Sequence, residues 1–192
     1  MTKPRIIVIG TSLGGLTALT QLLKQLPESL PVPVAIVQHR GIGHEGVLAD
    51  LLNQDSRLKV LDAEDKMPMA PGFAYLAPPD YHLLVERDGT LALSTDPPVR
   101  SARPSIDVLF ESAADAFGPE AVAVVLTGGS ADGADGLRCI KERGGLAIVQ
   151  DPSTAECAIM PAAALAAAPV ASVLPLGTIP DYLAALVEGA RA

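Results

Sequence analysis

The chain has 192 residues, 49% of them hydrophobic, and a net charge of −8 from 14 Lys and Arg against 22 Asp and Glu. A chain this long and this apolar can bury a core without disulfides or metals, which excludes an intrinsically disordered protein. The acidic balance argues against nucleic-acid binding, which needs clustered cations, and with no Trp and 3% aromatic residues there is little to stack on bases.

Two cysteines, Cys139 and Cys157, are too few for a disulfide framework and are typical of a reducing compartment. No His or Cys lies at metal-ligand spacing beside them, so we predict neither a metal site nor a cofactor. The first apolar run, 6–9, is too short for a signal peptide, and no apolar run reaches the length of about 18 residues that a membrane span requires. We therefore predict a cytoplasmic protein without membrane insertion.

Short β-branched runs alternate with amphipathic helical runs along the chain. The predicted elements, in chain order, are a strand at 5–9, a helix over 16–26, a strand at 34–37, a helix over 47–52, short strands at 73–76, 82–86 and 91–94, a helix over 106–113, a strand at 121–126, a helix over 134–142, a strand at 146–149, an Ala-rich helix from Met160 and a last helix over 179–187. Ser105 is the predicted N-cap of the helix that follows it, and Arg87-Asp88-Gly89 predicts a hairpin turn.

This alternation predicts an α/β fold, in which a doubly wound, mostly parallel sheet carries helices on both faces. The short central strands predict a β-hairpin insertion that forms an antiparallel edge. No internal repeat and no linker rich in Gly and Ser interrupts the pattern. Residues 1–192 are therefore predicted to form a single domain.

Polar residues follow three of the predicted buried strands. Ser12 comes after the first strand, His39 after the second, and Asp132 lies in the glycine-rich loop 127–133. Ligands of open parallel sheets bind at the carboxyl ends of the strands, so these side chains are expected at one edge of the sheet. A hydroxyl, an imidazole and a carboxylate are the groups that a nucleophile, its base and the orienting acid require.

The turn Gly10-Thr11-Ser12-Leu13-Gly14 matches the pattern G-x-S-x-G between a strand and a helix, which pushes a serine hydroxyl outward. The same turn alone is equally compatible with a nucleotide cradle. Its spacing is not G-x-G-x-x-G, however, and His39 stands where a ribose-binding acid would be expected. The coincidence of three strand-end residues favours the nucleophile, although the loop around Asp132 also has the composition of an ordinary turn.

Six segments carry a family resemblance: IIVIGTSLGG at 6–15, AIVQH at 35–39, AYLAPPDYHLLVE at 74–86, RPSIDVLFESAA at 103–114, VVLTGGSADGADGL at 124–137 and QDPSTAECAIMPAAA at 150–164. Together they resemble the catalytic domain of the chemotaxis protein-glutamate methylesterases of the CheB type, over about residues 5–186. The resemblance implies that Ser12 is the nucleophile, His39 the general base and Asp132 the orienting carboxylate. It further implies oxyanion or substrate-binding positions at Thr11, Gly129 and His82.

The resemblance also implies an activity and partners. It implies hydrolysis of glutamate γ-methyl esters on the cytoplasmic helices of methylated chemoreceptors, with glutamine deamidation in some members. Members of the family usually carry an N-terminal receiver domain that restrains the esterase. This chain starts just before the first catalytic strand, so we expect it to lack that domain and to be regulated by a separate protein.

Two departures from the family pattern keep a second interpretation open. Leu13 replaces the Thr that often follows the nucleophile, and the loop Gly128 to Ala131 replaces a segment that usually reads Gly-Met-Gly-Asn. A backbone N–H of Gly129 still serves as an oxyanion donor. The alternative function is a catalytically weakened module of the same fold that binds a receptor or a small ligand.

Overall fold

A computed structural model describes residues 2–41, 47–168 and 172–189. Its strands are β1 (Ile6–Thr11), β2 (Val34–Gln38), β3 (Lys59–Asp62), β4 (Phe73–Leu76), β5 (His82–Val85), β6 (Leu91–Ser94), β7 (Ala121–Val125), β8 (Leu146–Gln150) and β9 (Ser172–Leu174). Its helices are α1 (Gly15–Gln25), α2 (Val47–Asn53), α3 (Ile106–Phe117), α4 (Ala134–Glu142), α5 (Ile159–Ala167) and α6 (Ile179–Glu188).

Seven strands form one parallel sheet in the order β3-β4-β2-β1-β7-β8-β9. Alternate residues of β1 face opposite sides: Ile6 and Val8 pack with α3, α4 and α5, whereas Ile7 and Ile9 pack with α1, α2 and α6. All four side chains are fully buried, as expected for a strand at the centre of a sheet covered on both faces. The predicted doubly wound α/β fold is confirmed.

The middle of the chain is arranged differently from the prediction. The predicted hairpin forms between β5 and β6, with Gly89 in the left-handed conformation at its turn. It makes a separate two-stranded sheet beside α3 instead of an antiparallel edge, because β4 pairs in parallel with β2 and β3. Sequence patterns missed the edge strands β3 and β9, since both are short and only partly buried and lack a strong apolar run.

The centre of the sheet determines where a ligand site can form. β1 lies between β2 and β7 and pairs in parallel with both. The chain order reverses at β1, which makes its carboxyl end a topological switch point, where loops diverge and leave a crevice. Ser12, His39 and the loop that leads to Asp132 leave from these three adjacent strand ends.

Membrane-spanning helices and metal-binding clusters are both absent from the described ranges. None of the helices there is long and apolar enough to cross a bilayer. In the same part of the chain, no group of three or more His, Cys, Asp or Glu side chains is arranged to hold a metal ion.

Candidate active site

Ser12 lies in a tight turn between β1 and α1. Its N–H donates to the carbonyl of Thr127 at 3.0 Å, and the Gly15 N–H donates to the Ser12 carbonyl at 2.9 Å. Gly14 has φ +79°, a left-handed conformation that L side chains rarely adopt, so a glycine is required there. The turn reverses the chain within three residues and leaves Ser12 half-buried at the rim of the sheet.

His39 continues from the end of β2, and its N–H donates to the Thr11 carbonyl at 3.1 Å. Its ring Nδ1 lies 3.2 Å from Ser12 Oγ, and its Nε2 lies 2.7 Å from Asp132 Oδ2. The three side chains thus form one hydrogen-bonded chain, although 93 residues separate His39 from Asp132 in the sequence. The imidazole is 17% exposed and the carboxylate 1% exposed, so only the serine end of this chain faces the solvent.

The buried carboxylate of Asp132 accepts hydrogen bonds from the N-terminus of α3 as well as from His39. Its Oδ2 accepts from the Ile106 N–H at 2.7 Å, and its Oδ1 accepts from the Asp107 N–H at 3.1 Å and from the Ser105 hydroxyl at 2.8 Å. The first N–H groups of a helix have no partner within the helix, so they are available to an anion. Asp132 is therefore held rigidly by the helix that it caps.

Burial raises the pKa of Asp132, but the hydrogen bonds from His39, the Ile106 and Asp107 amides and the Ser105 hydroxyl outweigh it, so the pKa is lowered overall. The carboxylate is therefore an anion at neutral pH and only accepts hydrogen bonds. A carboxylate cannot donate, so His39 Nε2 carries the proton shared with Asp132, which leaves Nδ1 as the ring atom that can accept the Ser12 hydroxyl.

The predicted N-cap role of Ser105 needs correction. Ser105 stands at the N-cap position of α3, but its side chain makes no hydrogen bond to the helix backbone. Its hydroxyl donates instead to Asp132, and this distant carboxylate supplies the acceptor for the helix amides. A tertiary contact has replaced the local cap, because a buried anion at a helix N-terminus needs every nearby donor.

Asp107 is a residue of this site that the sequence analysis missed. It lies in the first turn of α3 and is 4% exposed. Its Oδ1 accepts hydrogen bonds from the Gly133 N–H at 2.9 Å and the Gly136 N–H at 2.8 Å, at the start of α4. Asp132, just before α4, caps α3, and Asp107, within α3, caps α4. An acidic residue in a first turn was the available signal, but the pattern did not reveal which helix it would cap.

Burial, together with the negative charge of Asp132, raises the pKa of Asp107 from 3.8 to about 6. The folded chain therefore binds this proton more tightly than the unfolded chain, and the free energy of unfolding falls as the pH rises from about 4 to about 6. We expect the difference in unfolding free energy, parent minus Asp107→Asn, to decrease across this window in urea titrations. Asp115→Asn, an exposed position on the same helix, controls for the lost charge. A difference that increases with pH would contradict the prediction.

Thr11 and Gly129, two of the three predicted oxyanion or substrate positions, differ in exposure: Thr11 is buried and Gly129 is exposed. The Thr11 side chain is fully buried and donates its hydroxyl to the Thr127 carbonyl at 2.8 Å, so it braces the turn and does not line the cleft. Gly129 is exposed, and its N–H has no acceptor among the described residues. The neighbouring Gly128 N–H is already used, because it donates to the Cys157 carbonyl at 3.1 Å.

His82, the third position, is buried behind the site. Its Nδ1 accepts the Ser105 N–H at 3.1 Å, and its Nε2 donates to the Pro97 carbonyl at 3.2 Å. The ring makes no hydrogen bond to Ser12 or His39 in the described part of the chain. His82 therefore acts on the site only through Ser105, which in turn donates to Asp132.

This arrangement predicts unequal effects for the two histidines. His39→Ala removes the ring between Ser12 and Asp132 and is expected to lower kcat by on the order of 10⁴-fold or more. His82→Ala removes one support behind Asp132 and is expected to lower kcat by about ten- to a hundredfold, because Asp132 would be less well positioned. Kinetics of ester hydrolysis with both variants, checked for folding by circular dichroism, measure the difference. Equal losses would show that His82 takes a direct part in the reaction.

Thr127 and Gln38 hold the nucleophile turn in place, and the sequence analysis named neither as functional. The Thr127 hydroxyl donates to the Leu13 carbonyl at 2.8 Å and accepts the Cys157 N–H at 2.9 Å. The Gln38 amide donates to the Ser12 and His39 carbonyls, both at 2.9 Å. The Leu13 N–H, by contrast, has no acceptor among the described residues. Leu13 and Gly129 thus carry N–H donors that are unpaired among the described residues, in the loops beside Ser12.

A cleft of about 470 Å³ opens at the Ser12 hydroxyl. Its lining comprises Ser12, Leu13, Gly14, Gly15, Leu16, Thr17, Gln38, His39 and Glu156. The volume lies within the usual range for small-molecule pockets, so the cleft accommodates an extended side chain with room to spare.

Residues 7–183 match the family model described as CheB methylesterase. The chain belongs to the CheB methylesterase family. Its similarity to one solved member, the CheB methylesterase catalytic domain of Thermotoga maritima, has a TM-score of 0.91 at 34% identity and covers 97% of this chain and all of that one. The family resemblance expected from the six sequence segments is thereby confirmed.

Curated relatives of this CheB methylesterase family member differ in length. A putative protein-glutamate methylesterase/protein-glutamine glutaminase of Leptospira interrogans is 46% identical over 175 residues, which cover 91% of each chain. The protein-glutamate methylesterase FrzG of Myxococcus xanthus is 42% identical over 174 residues, 91% of this chain but 52% of its own length. The chain thus spans nearly the whole of one relative and about half of the other.

Proposed function

We propose that this chain is a protein-glutamate methylesterase that hydrolyses glutamate γ-methyl esters on chemoreceptor helices, with Ser12, His39 and Asp132 as its catalytic triad. The observation that carries the proposal is the hydrogen-bonded chain from Ser12 Oγ through His39 to Asp132, at 3.2 Å and 2.7 Å. The activity named for its relatives supports the choice of substrate. Deamidation of receptor glutamines follows from the same chemistry, since an amide differs from the ester only in its leaving group.

In the proposed reaction, His39 Nδ1 takes the proton of the Ser12 hydroxyl as the serine oxygen attacks the ester carbonyl. Asp132 stabilises the imidazolium that forms and keeps the ring oriented. The C–O bond to the methoxy group then breaks, and His39 gives the proton to the departing methanol. Water attacks the acyl-serine with His39 again as the base, which releases the glutamate carboxylate and restores Ser12.

The negative charge that develops on the substrate oxygen needs donors that are in place beforehand. The N–H groups of Leu13 and Gly129 are the candidates, because both are unpaired among the described residues and belong to the loops beside Ser12. Donation by backbone groups explains how the two departures from the family pattern are compatible with catalysis. Leu13 has a side chain that is 59% exposed, so its replacement of threonine changes the surface of the turn and leaves its hydrogen bonds intact.

The alternative, a module that binds a receptor or a ligand without turnover, is not favoured. The relatives that match most of this chain are named as enzymes, and the three side chains make the contacts that turnover requires. A serine-reactive fluorophosphonate separates the two functions. We expect it to label Ser12 in the folded protein, and folded protein that resists labelling would support the binding module.

The proposal extends to partners and location. The substrate would be the cytoplasmic helices of methylated chemoreceptors, residues 1–192 would act as a single catalytic domain in the cytoplasm, and a separate protein would regulate it. The decisive experiment is methanol release from membranes that carry radiolabelled methylated receptors. We expect the parent protein to release methanol. Intact, folded protein that releases no methanol above the blank would overturn the proposed function.

A further inference from the structure

A second cleft, of about 340 Å³, opens on the other side of His39 from the helix α1 turn. Its lining comprises His39, Arg40, Gly41, Ser101, Ala102, Arg103 and Pro104. Two guanidinium groups and no carboxylate belong to this lining, in a chain whose net charge is −8. The composition of the cleft is thus opposite to that of the whole protein. Arg40 pairs with Asp62 and Arg103 with Asp80, and both aspartates lie outside the lining, so the cleft can attract an anionic ligand only through guanidinium N–H groups that remain unpaired.

Arg40 lines this cleft and has donors that the described residues leave unused. Its side chain is only 10% exposed, and its Nη2 donates to Asp62 Oδ1 at 2.8 Å and to the Ala77 carbonyl at 2.6 Å. Its Nε and Nη1 are buried and have no hydrogen-bond partner among the described residues. Buried donors without an acceptor destabilise a fold, so a cation held in this state beside a reactive histidine indicates that a partner arrives from outside.

Arg103, the other guanidinium of the cleft, differs from Arg40 in this respect. Its Nε and Nη2 donate to Asp80 Oδ1 at 2.9 Å and 2.6 Å, and its Nη1 donates to the carbonyls of Thr95 and Asp96 at 2.9 Å and 3.1 Å. All three guanidinium nitrogens of Arg103 therefore make hydrogen bonds, and the side chain is held rigidly at the edge of the cleft. The free hydrogen-bonding capacity of the two arginines belongs to Arg40.

We propose that this cleft is a carboxylate subsite, in which Arg40 binds an acidic side chain that neighbours the methyl ester in the substrate segment. The inference rests on the proposed function and deepens it. A carboxylate carries several acceptor lone pairs and no donor, which complements the unused N–H groups of Arg40. Arginine is also the side chain that proteins use most for recognition of carboxylates at buried sites.

The cleft at Ser12 and the cleft at Arg40 then divide the substrate by charge. The cleft at Ser12 contains the carboxylate-bearing Glu156 and no cationic side chain, which is compatible with the uncharged methyl ester. The cleft at Arg40 takes the negative neighbour. Arg40 follows His39 directly in the sequence, so an acidic side chain bound there fixes the substrate relative to the general base. Arg40 is thus a specificity residue, and its effect falls on KM more than on kcat.

The test compares peptides that carry one glutamate γ-methyl ester and differ only by Glu or Gln at one neighbouring position, with each neighbouring position varied in turn. For the parent protein we expect one position at which Glu lowers KM for methanol release by about tenfold or more, the usual range for a hydrogen bond to a charged group. Arg40→Met is expected to lose that preference, so that the Glu and Gln peptides have the same KM. Arg87→Met, an exposed arginine at the β5–β6 turn, is the matched control and keeps the preference.

A binding measurement separates this inference from the proposed function. Calorimetry with Ser12→Ala and the corresponding unesterified peptides reports the Glu preference without turnover. Preferential binding of the Glu peptide by Ser12→Ala, combined with a folded parent protein that releases no methanol, would overturn the proposed function and retain the subsite. Equal binding of Glu and Gln peptides at every position overturns the subsite, whether or not Arg40→Met folds. Equal loss of kcat on both peptides in a folded Arg40→Met also overturns it, because Arg40 would then serve only to support His39.

Discussion

Ser12→Ala is expected to abolish methanol release, with a loss of about 10⁴-fold or more in kcat and an unchanged fold. The hydroxyl is half-buried, and its oxygen contacts His39 Nδ1 at 3.2 Å, so its removal leaves no nucleophile within reach of the base. Removal of the serine from such a group typically leaves only the rate enhancement that binding and oxyanion stabilisation provide. Radiolabelled methanol release from receptor membranes measures the loss.

The control for this prediction is Ser153→Ala, which removes the hydroxyl of an exposed serine outside the site and is expected to keep the parent rate. Thermal unfolding of both variants should match the parent closely, since neither substitution empties a packed core. Ser12→Ala protein that still releases methanol at the parent rate would exclude Ser12 as the nucleophile and with it the proposed mechanism.

Asp132→Asn is expected to lower kcat by about 10³- to 10⁴-fold and also to destabilise the protein, by about 2–4 kcal/mol. The carboxylate accepts hydrogen bonds from His39, Ser105, Ile106 and Asp107. The amide of Asn has one acceptor oxygen and an NH₂ group in place of the second oxygen. The NH₂ group would face donors that the carboxylate accepts, and it would favour the His39 tautomer whose Nε2 lacks a proton. Because the lowered pKa of Asp132 keeps it ionised, this loss applies throughout the neutral pH range.

The combination of the two effects would identify Asp132 as both a structural and a catalytic residue. Kinetics report the first loss, and urea titration of the free energy of unfolding reports the second. Asp135→Asn, on the same helix turn but 44% exposed and paired with Arg100 and Arg138, is the control and should change each quantity little. Loss of stability with full activity in Asp132→Asn would reduce Asp132 to a helix cap.

Much of the fold was predictable, because its signals are local. Buried runs such as Ile6–Thr11 and Ala121–Val125 are continuous and apolar, and the helices between them repeat apolar residues with helical period. Parallel strands joined by helices leave few arrangements, so the doubly wound sheet followed. The sequence analysis did not predict β3 and β9, because short edge strands are stabilised by their neighbours more than by their own composition.

The residue types of the candidate site were also accessible from the sequence, since Ser12, His39 and Asp132 each follow a recognisable strand. The supporting contacts were not. Asp107 and Ser105 lie where a helix start is predicted, yet both donate hydrogen bonds to Asp132, which is 25 and 27 residues away in the sequence. Likewise Thr11, read as a substrate contact, braces the end of β7. Sequence patterns report periodicity and spacing, and they carry no information on which distant donor meets which acceptor.

The sequence by itself determined the order and character of most elements, the strand ends that carry polar groups, and the family to which the chain belongs. Only the tertiary structure decided that Asp132 caps α3 while Asp107 caps α4, and that Arg40, beside His39, has donors with no partner among the described residues. The physical reason is that propensity and hydrophobic pattern act over a few residues. Hydrogen-bond satisfaction and desolvation of charge depend instead on every group that folding brings to the same place.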